Sequence, residues 1–142
     1  MAVNPKGFPF EIPFLDWLDF RMHEAEIGHS HFSLELRPHH LNSYGMAHGG
    51  LVLTMLDISL AMAARSLEVP VRGPDMPGML TVELKTTFMR PTYGEKIRAE
   101  GHCIHRTRTL AFCEGEVYDG EGKVAARASG TFKYPSLRKE GR

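Results

Sequence analysis

His48-Gly49-Gly50-Leu51-Val52-Leu53-Thr54-Met55-Leu56-Asp57-Ile58-Ser59-Leu60-Ala61-Met62-Ala63-Ala64-Arg65-Ser66-Leu67 decides the architecture of this chain. Beyond Gly50 the run contains neither proline nor glycine, and its leucine, methionine and alanine content favours helix over strand. At helical spacing Leu53, Leu56, Leu60, Ala63 and Leu67 form a bulky stripe, while Thr54, Asp57, Ala61 and Ala64 form a smaller, more polar face. A helix apolar on so much of its circumference must be covered on most sides. Either a sheet wraps round it or a partner chain lies against it.

Outward from that helix the pattern changes to strands. On its N-terminal side, residues 19–27 and 31–37 alternate imperfectly around Gly28, His29 and Ser30, which predicts two antiparallel strands and a tight turn, followed by a loop from residue 39 to 43. On its C-terminal side Pro70, Gly73, Pro74, Pro77 and Gly78 end the helix in a long loop. Leu80, Val82 and Leu84 then alternate with Thr81, Glu83 and Lys85; after Pro91 and Gly94, Ile97, Ala99, Gly101 and Cys103 alternate with Lys96, Arg98, Glu100 and His102. Residues 109–118, the turn 119–122 and residues 123–134 complete a hairpin before a polar tail. The expected order is two strands, one long buried helix and four strands in meander: an α+β fold with a strongly curved antiparallel sheet. Pro5, Pro9 and Pro13 make residues 4–13 an extended arm, with a short apolar turn from about Phe14 to Leu18.

The 142 residues make one domain with enough chain to bury a core. Seventeen Lys and Arg balance seventeen Asp and Glu, and 24% of residues are charged, so no basic stripe for nucleic acid emerges. The longest apolar run, residues 51–64, is interrupted by Thr54, Asp57 and Ser59 and is too short to span a bilayer. Cys103 and Cys113 fit no zinc-type spacing and read as free buried thiols. With no signal-peptide pattern at the N-terminus, a reducing, cytoplasmic setting is expected.

Asn42-Ser43-Tyr44-Gly45-Met46-Ala47-His48-Gly49-Gly50 leads directly into the helix that carries Asp57. Glycines at a helix start present unpaired backbone N–H groups at the positive end of the macrodipole, where a carbonyl oxygen gaining negative charge is stabilised. The plainer alternative is a tight loop-to-helix junction. Asp57 lies mid-helix among apolar residues, where an ionised carboxylate needs compensation and burial raises its pKa. It is then a general base or a nucleophile, or else an interface aspartate held by backbone donors. His48 alone is as consistent with a helix cap as with a catalyst, and Asn42 before glycine is a turn residue or a donor to substrate or water.

The spacing Asn42-x-x-Gly45-x-x-His48-Gly49-Gly50, with Asp57 nine residues after the histidine, resembles the hotdog-fold acyl-CoA thioesterases of the phenylacetate-pathway (PaaI-like) type. The resemblance extends to residues 77–84, Phe88-Met89-Arg90-Pro91 and Gly94-Glu95, and to the strand order from about residue 19 to 134. It implies a single hotdog domain, a long helix wrapped by a six-stranded antiparallel sheet. It also implies a homodimer joined edge to edge, pairing further into a dimer of dimers, with active sites shared across the subunit interface. The implied reaction is hydrolysis of an acyl-CoA thioester without a cofactor. The backbone N–H at Gly49, beside Gly50, polarises the thioester carbonyl, and Asp57 of the other subunit is nucleophile or general base. Thr81 helps position water, and His48 and Asn42 hold the loop and orient substrate or water. Arg90, Arg106 and Arg108 are candidates for the phosphates of CoA, because guanidinium forks suit phosphate oxygens.

Phe8, Phe10, Phe14 and Trp17 of the arm, and the loop between Pro70 and Pro77, are placed to line an acyl site, although capping an exposed end of the core explains the arm more simply. A non-catalytic acyl-thioester-binding module and a hydratase or dehydratase are the nearest rival functions on this fold. A metal-binding reading rests on His29-x-His31 and His39-His40, but no carboxylate or cysteine completes a ligand set.

Overall fold

A row of small residues fixes where the long helix can lie. The computed structural model describes residues 6–8, 10–67 and 78–135, so the loop 70–77, the first residues of the arm and the polar tail lie outside the described residues. The elements are α1 (Pro13–Leu18), β1 (Arg21–Glu26), β2 (His29–Glu35), a 3-10 turn (Pro38–His40), α2 (Gly49–Arg65), β3 (Leu80–Phe88), β4 (Lys96–Arg106), β5 (Leu110–Tyr118) and β6 (Val124–Lys133). All six strands form one antiparallel sheet in the order β1-β2-β4-β5-β6-β3. Ser30, Gly101, Gly115 and Ala128 are successive cross-strand partners on β2, β4, β5 and β6, and together they form a furrow on the inner face.

α2 sinks into that furrow. A Cβ built on Gly101 would lie 2.7 Å from the Ser59 carbonyl oxygen, and one on Gly115 would lie 2.5 Å from Leu60 Cδ1. Ser30 Oγ donates to the same Ser59 carbonyl at 2.5 Å, while Ser59 Oγ donates to the Met55 carbonyl one turn earlier. On either side of the furrow Phe32, Leu34, Ile97, Val117 and Phe132 close over Met55, Leu56 and Leu60, all of them buried. Each such side chain removed from water contributes about 1.5–3 kcal/mol.

The expected helix, residues 48–67, corresponds to α2, and the α+β class with a curved six-stranded sheet is the fold observed. Four local expectations are corrected. The last four strands do not form one meander: β4, β5 and β6 do, but β3 pairs with β6 at the far edge of the sheet. The connection through residues 89–95 therefore crosses three strand spacings, about 14 Å, which seven residues easily span. The first turn is Ile27-Gly28, both at positive φ (47° and 80°), so His29 and Ser30 already belong to β2. Leu53 is not part of the buried stripe: it is 38% exposed and lies one turn before Asp57, whereas Ala61 and Ala64 of the supposed polar face are buried by the chain's own sheet.

The fourth correction concerns Thr81. Simple alternation puts it on the opposite face from Leu84, but the β3–β6 register shifts between Thr81 and Glu83, so Thr81 faces Phe132 and Leu84 faces Gly130 on the same inner side. A bulge adds one residue to a strand and re-aims its neighbours. Here it turns the Thr81 hydroxyl towards α2.

Because the Gly101 contact is with backbone, it has no flexible atom to yield. Gly101→Ala is expected to lower stability by about 1–3 kcal/mol, read as a lower urea midpoint at unchanged m-value.

Candidate active site

The approach to α2 is held by backbone hydrogen bonds and two histidines. Asn42 N donates to the Met46 carbonyl at 2.8 Å, and Gly45, at φ 77°, returns a bond to the Asn42 carbonyl at 3.1 Å. Asn42 Oδ1 accepts from Tyr44 N at 2.9 Å and Met46 N at 3.3 Å. The Asn42 carbonyl side of its amide is thus occupied in the turn, as the residue type before such a glycine favours. His40, which the sequence places in a loop and in a candidate metal-binding pair with His39, is fully buried: its Nδ1 accepts from Arg37 N at 2.9 Å and its Nε2 donates to the Leu18 carbonyl at 2.8 Å. Its own carbonyl accepts from His48 N at 2.9 Å. His40 therefore ties α1, the 3-10 turn and the start of α2 together, and both its ring nitrogens are engaged by backbone. Among the described residues no three His, Cys, Asp or Glu side chains are grouped to hold a metal ion.

His48 is the N-cap of α2, with Nδ1 accepting from Gly50 N at 2.8 Å. Leu51 N and Val52 N donate to the His48 carbonyl at 2.9 and 3.1 Å. Of the four N–H groups that open the helix, Gly49 alone has no hydrogen-bond partner among the described residues, and it is exposed. The Phe88 ring, at the end of β3, sits beside it: a Cβ built on Gly49 would lie 3.8 Å from the ring. An unpaired donor at the positive end of α2, flanked by an aromatic ring, is ready to donate to a partly negative oxygen.

Asp57 lies two turns further along the same exposed side of α2. Thr81 Oγ1 donates to Asp57 Oδ1 at 2.7 Å. Burial pushes the Asp57 carboxyl above its ordinary value, and the Thr81 hydrogen bond, which favours the charged form, partly offsets it. Oδ2 has no hydrogen-bond partner among the described residues, and Asp57 lines a cleft of about 430 Å³. Its lining is apolar apart from Thr54, Asp57 and Thr81: Ile12, Phe14 and Leu15 come from the arm and α1, Leu53 and Ile58 from α2, and Leu84 from β3.

The structure thus brings Asp57 and Thr81 together and groups Asn42, His48, Gly49 and Gly50 at the helix start. It separates these two groups: eight residues at 1.5 Å each put Gly49 about 12 Å from Asp57. The three arginines are also dispersed. Arg90 is exposed just beyond Phe88, near the start of α2. Arg106 donates to the Leu67 carbonyl at 3.3 Å and lies over the Tyr134 ring, so it stands with Arg108 at the opposite end of the helix.

Residues 44–126 match the thioesterase superfamily. Acyl-coenzyme A thioesterase 13 of Homo sapiens is 32% identical over 100 residues, spanning 69% of this chain and 67% of that protein. Among solved structures, a variant of the phenylacetic acid degradation protein PaaI from Thermus thermophilus superposes with a TM-score of 0.75 at 23% identity, covering 87% of this chain and 100% of that one. A thioesterase protein with coenzyme A from Streptococcus pneumoniae superposes at 0.71 with 21% identity, covering 84% and 91%. At those identities the two structures speak for the fold.

A carboxyl whose pKa is raised on folding costs stability once it ionises: the cost is absent below the unfolded value of 3.8 and grows as pH rises through the folded one. Asp57→Asn is therefore expected to melt higher than the parent at neutral pH, with the difference vanishing in thermal scans near pH 3.5. Thr81→Ala removes the hydrogen bond that favours the charged form, so the acid limb of any Asp57-dependent activity should move to higher pH.

Proposed function

Because the chain belongs to the thioesterase superfamily and is a thioesterase, we propose that it hydrolyses acyl-CoA thioesters at a site shared between two copies. The observation that carries this reading is the gap of about 12 Å on α2 between the N–H of Gly49, unpaired among the described residues, and the cleft-lining carboxylate of Asp57. A carbonyl oxygen bound at Gly49 places its carbon about 3–4 Å away, out of reach of Asp57 in the same protomer. Two antiparallel copies of α2 crossing at Leu53, the midpoint between the two groups, bring Gly49 of one protomer opposite the second protomer's carboxylate.

The rest of that side of the molecule supports such pairing. β3 is the edge strand, exposed on most of its length, with Leu80, Val82 and Phe88 more than half exposed and no proline to blunt it. Antiparallel pairing of two β3 strands about Leu84 sets residue 88 against residue 80 of the second copy. Phe88 sits beside Gly49 and Thr81 bonds Asp57, so the pairing that joins the sheets also assembles the site. An interface of this type is isologous, each patch meeting its own copy. A further pairing of dimers belongs to the same reading.

In the assembled site the thioester oxygen accepts from Gly49 N–H at the positive end of α2, and Phe88 limits its access to water. Asp57, held at Oδ1 by Thr81, presents Oδ2 either to a water molecule or to the carbonyl carbon itself. Along the water route the proton passes to Asp57, water oxygen bonds to the carbonyl carbon, and the tetrahedral intermediate expels the CoA thiolate, which takes up the proton. Along the other route a carboxylate oxygen of Asp57 bonds to the carbonyl carbon and the CoA thiolate is expelled, leaving a mixed anhydride; water then opens it to the free acid, regenerating the Asp57 carboxylate and supplying the proton that the thiolate takes up. His48 and Asn42 keep the loop and helix start in place, Gly50 supplies the N–H that His48 caps, and Arg90 stands on the Gly49 side for the phosphates of CoA. Arg106 and Arg108 are left without a role at the same protomer's Gly49. The two free thiols accord with a reducing, cytoplasmic location.

Proline is tolerated at the first helical position, and His48 at φ −60°, ψ 137° already has the extended conformation that precedes it. Gly49→Pro should therefore remove the donor while preserving the fold, lowering kcat by about 100- to 1,000-fold. Asp57→Asn should abolish thiol release. Co-refolding the two inactive variants should restore roughly a quarter of the wild-type sites if each site draws on two protomers. No recovery would place the site within one protomer, and enoyl absorbance without thiol release would identify a hydratase instead.

A further inference from the structure

The geometry points to the N-terminal arm as the acyl-selecting wall of the site, with Phe14 its specificity-determining side chain and an uncharged apolar acyl group as the class of substrate. This inference rests on the thioesterase reading for its carbonyl end only.

The arm is built as a wall. Phe8 is buried and packs on Phe32 with ring centroids 5.7 Å apart, so it caps the core. Phe10 lies under the Arg65 guanidinium at 4.6 Å. Leu15 and Leu18 are buried, Lys6 bonds Asp16 O at 2.7 Å and Asp19 Oδ1 at 2.9 Å, and the Leu18 carbonyl is bonded by His40. With α1 fixed at both ends, Phe14 is left 57% exposed, an apolar ring with no core to fill. It lines the cleft that holds Asp57, whereas Trp17, 71% exposed, does not line it and lies near His39. Of the four aromatic residues proposed from the sequence, Phe14 alone stands at the cleft.

The lining also states what can enter. Ile12, Phe14, Leu15, Leu53, Ile58 and Leu84 supply apolar surface, and Asp57 is the one ionisable side chain among the described residues of the cleft. Among the described residues of the protomer's own cleft, no cation stands to pair with a second carboxylate. A dicarboxylic acyl group would place its free end in an apolar wall beside Asp57, with both desolvation and like-charge repulsion against it. A straight-chain or aryl acyl group meets neither cost, and a volume of about 430 Å³ is in the range of small-molecule pockets.

The test compares kcat/KM for acetyl-, octanoyl-, phenylacetyl- and succinyl-CoA in the parent, Phe14→Ala and Asp57→Asn, together with calorimetric binding of the non-hydrolysable thioether S-octyl-CoA. Phe14 is exposed, so its truncation leaves the core intact. The expected results are a preference of the parent for octanoyl- and phenylacetyl- over succinyl-CoA, and a fall for Phe14→Ala about tenfold larger with octanoyl- than with acetyl-CoA. S-octyl-CoA should bind Phe14→Ala about tenfold more weakly than the parent. Asp57→Asn should lose all thioesters alike, which separates chemistry from selection. Equal losses for acetyl and octanoyl substrates, equal binding of the thioether by both proteins, or succinyl-CoA as the better substrate would overturn the assignment. If the parent hydrolyses none of these esters, the thioesterase reading fails while the binding ratio still decides the wall.

Discussion

The contact between the backbone of α2 and the glycines beneath it governs the rest of the molecule. Gly101 and Gly115 are paired on the two central strands, and with Ser30 and Ala128 they leave a trough with no side chain wider than a hydroxymethyl group. Such close approach is possible only where Cβ atoms are missing or small. Once Ser59 and Leu60 rest there, the axial position and rotation of the helix are set. The turns carrying Gly49, Leu53 and Asp57 then face away from the central strands, towards the β3 edge of the sheet and open solvent. A larger residue in the trough would not merely loosen the core; it would shift Gly49 and Asp57 together.

Much of this was legible in the sequence because it depended on local rules. The absence of helix breakers after Gly50 marked α2, and the loop chemistry of Asn42, Gly45 and His48 marked its start. The likeness to hotdog thioesterases followed from the same residues. What escaped depended on other strands or other turns. Period-two alternation cannot reveal that β3 gains a residue between Thr81 and Glu83, since a bulge is defined by the register of its partner β6. The swap of β3 to the far edge is likewise a property of which strands pair, not of any one strand. Leu53 has the composition of a core residue and lacks a neighbour to bury it. His40 carried no signal beyond being a histidine next to a proline-initiated turn; its role follows from where Leu18 and His48 happen to end. The open valence at Gly49 was foreseeable in kind, but that His48 would take Gly50 and leave Gly49 free is visible only in the bonds themselves.

Asp57 shows how stability and chemistry divide at one side chain. Burial raises the cost of its charge, and Thr81 returns part of that cost through a single hydrogen bond. A carboxylate fully satisfied by donors would be a poor base and a poor nucleophile; one left wholly unsatisfied would stay protonated. One oxygen held and one oxygen open is a compromise between these limits, and it depends on the bulge that turns Thr81 inward.

The open edge of β3 has a further consequence, for the time between synthesis and assembly. A nine-residue strand with exposed Leu80, Val82 and Phe88 is a template for any other extended chain, and Glu83 and Lys85 are the only charges along it. While that edge is open, the protomer carries an aggregation hazard that the proposed pairing would remove. On the proposed pairing, rapid meeting with a second copy would protect the protomer as well as complete its site, and expression level would become a variable to which the fold itself is sensitive.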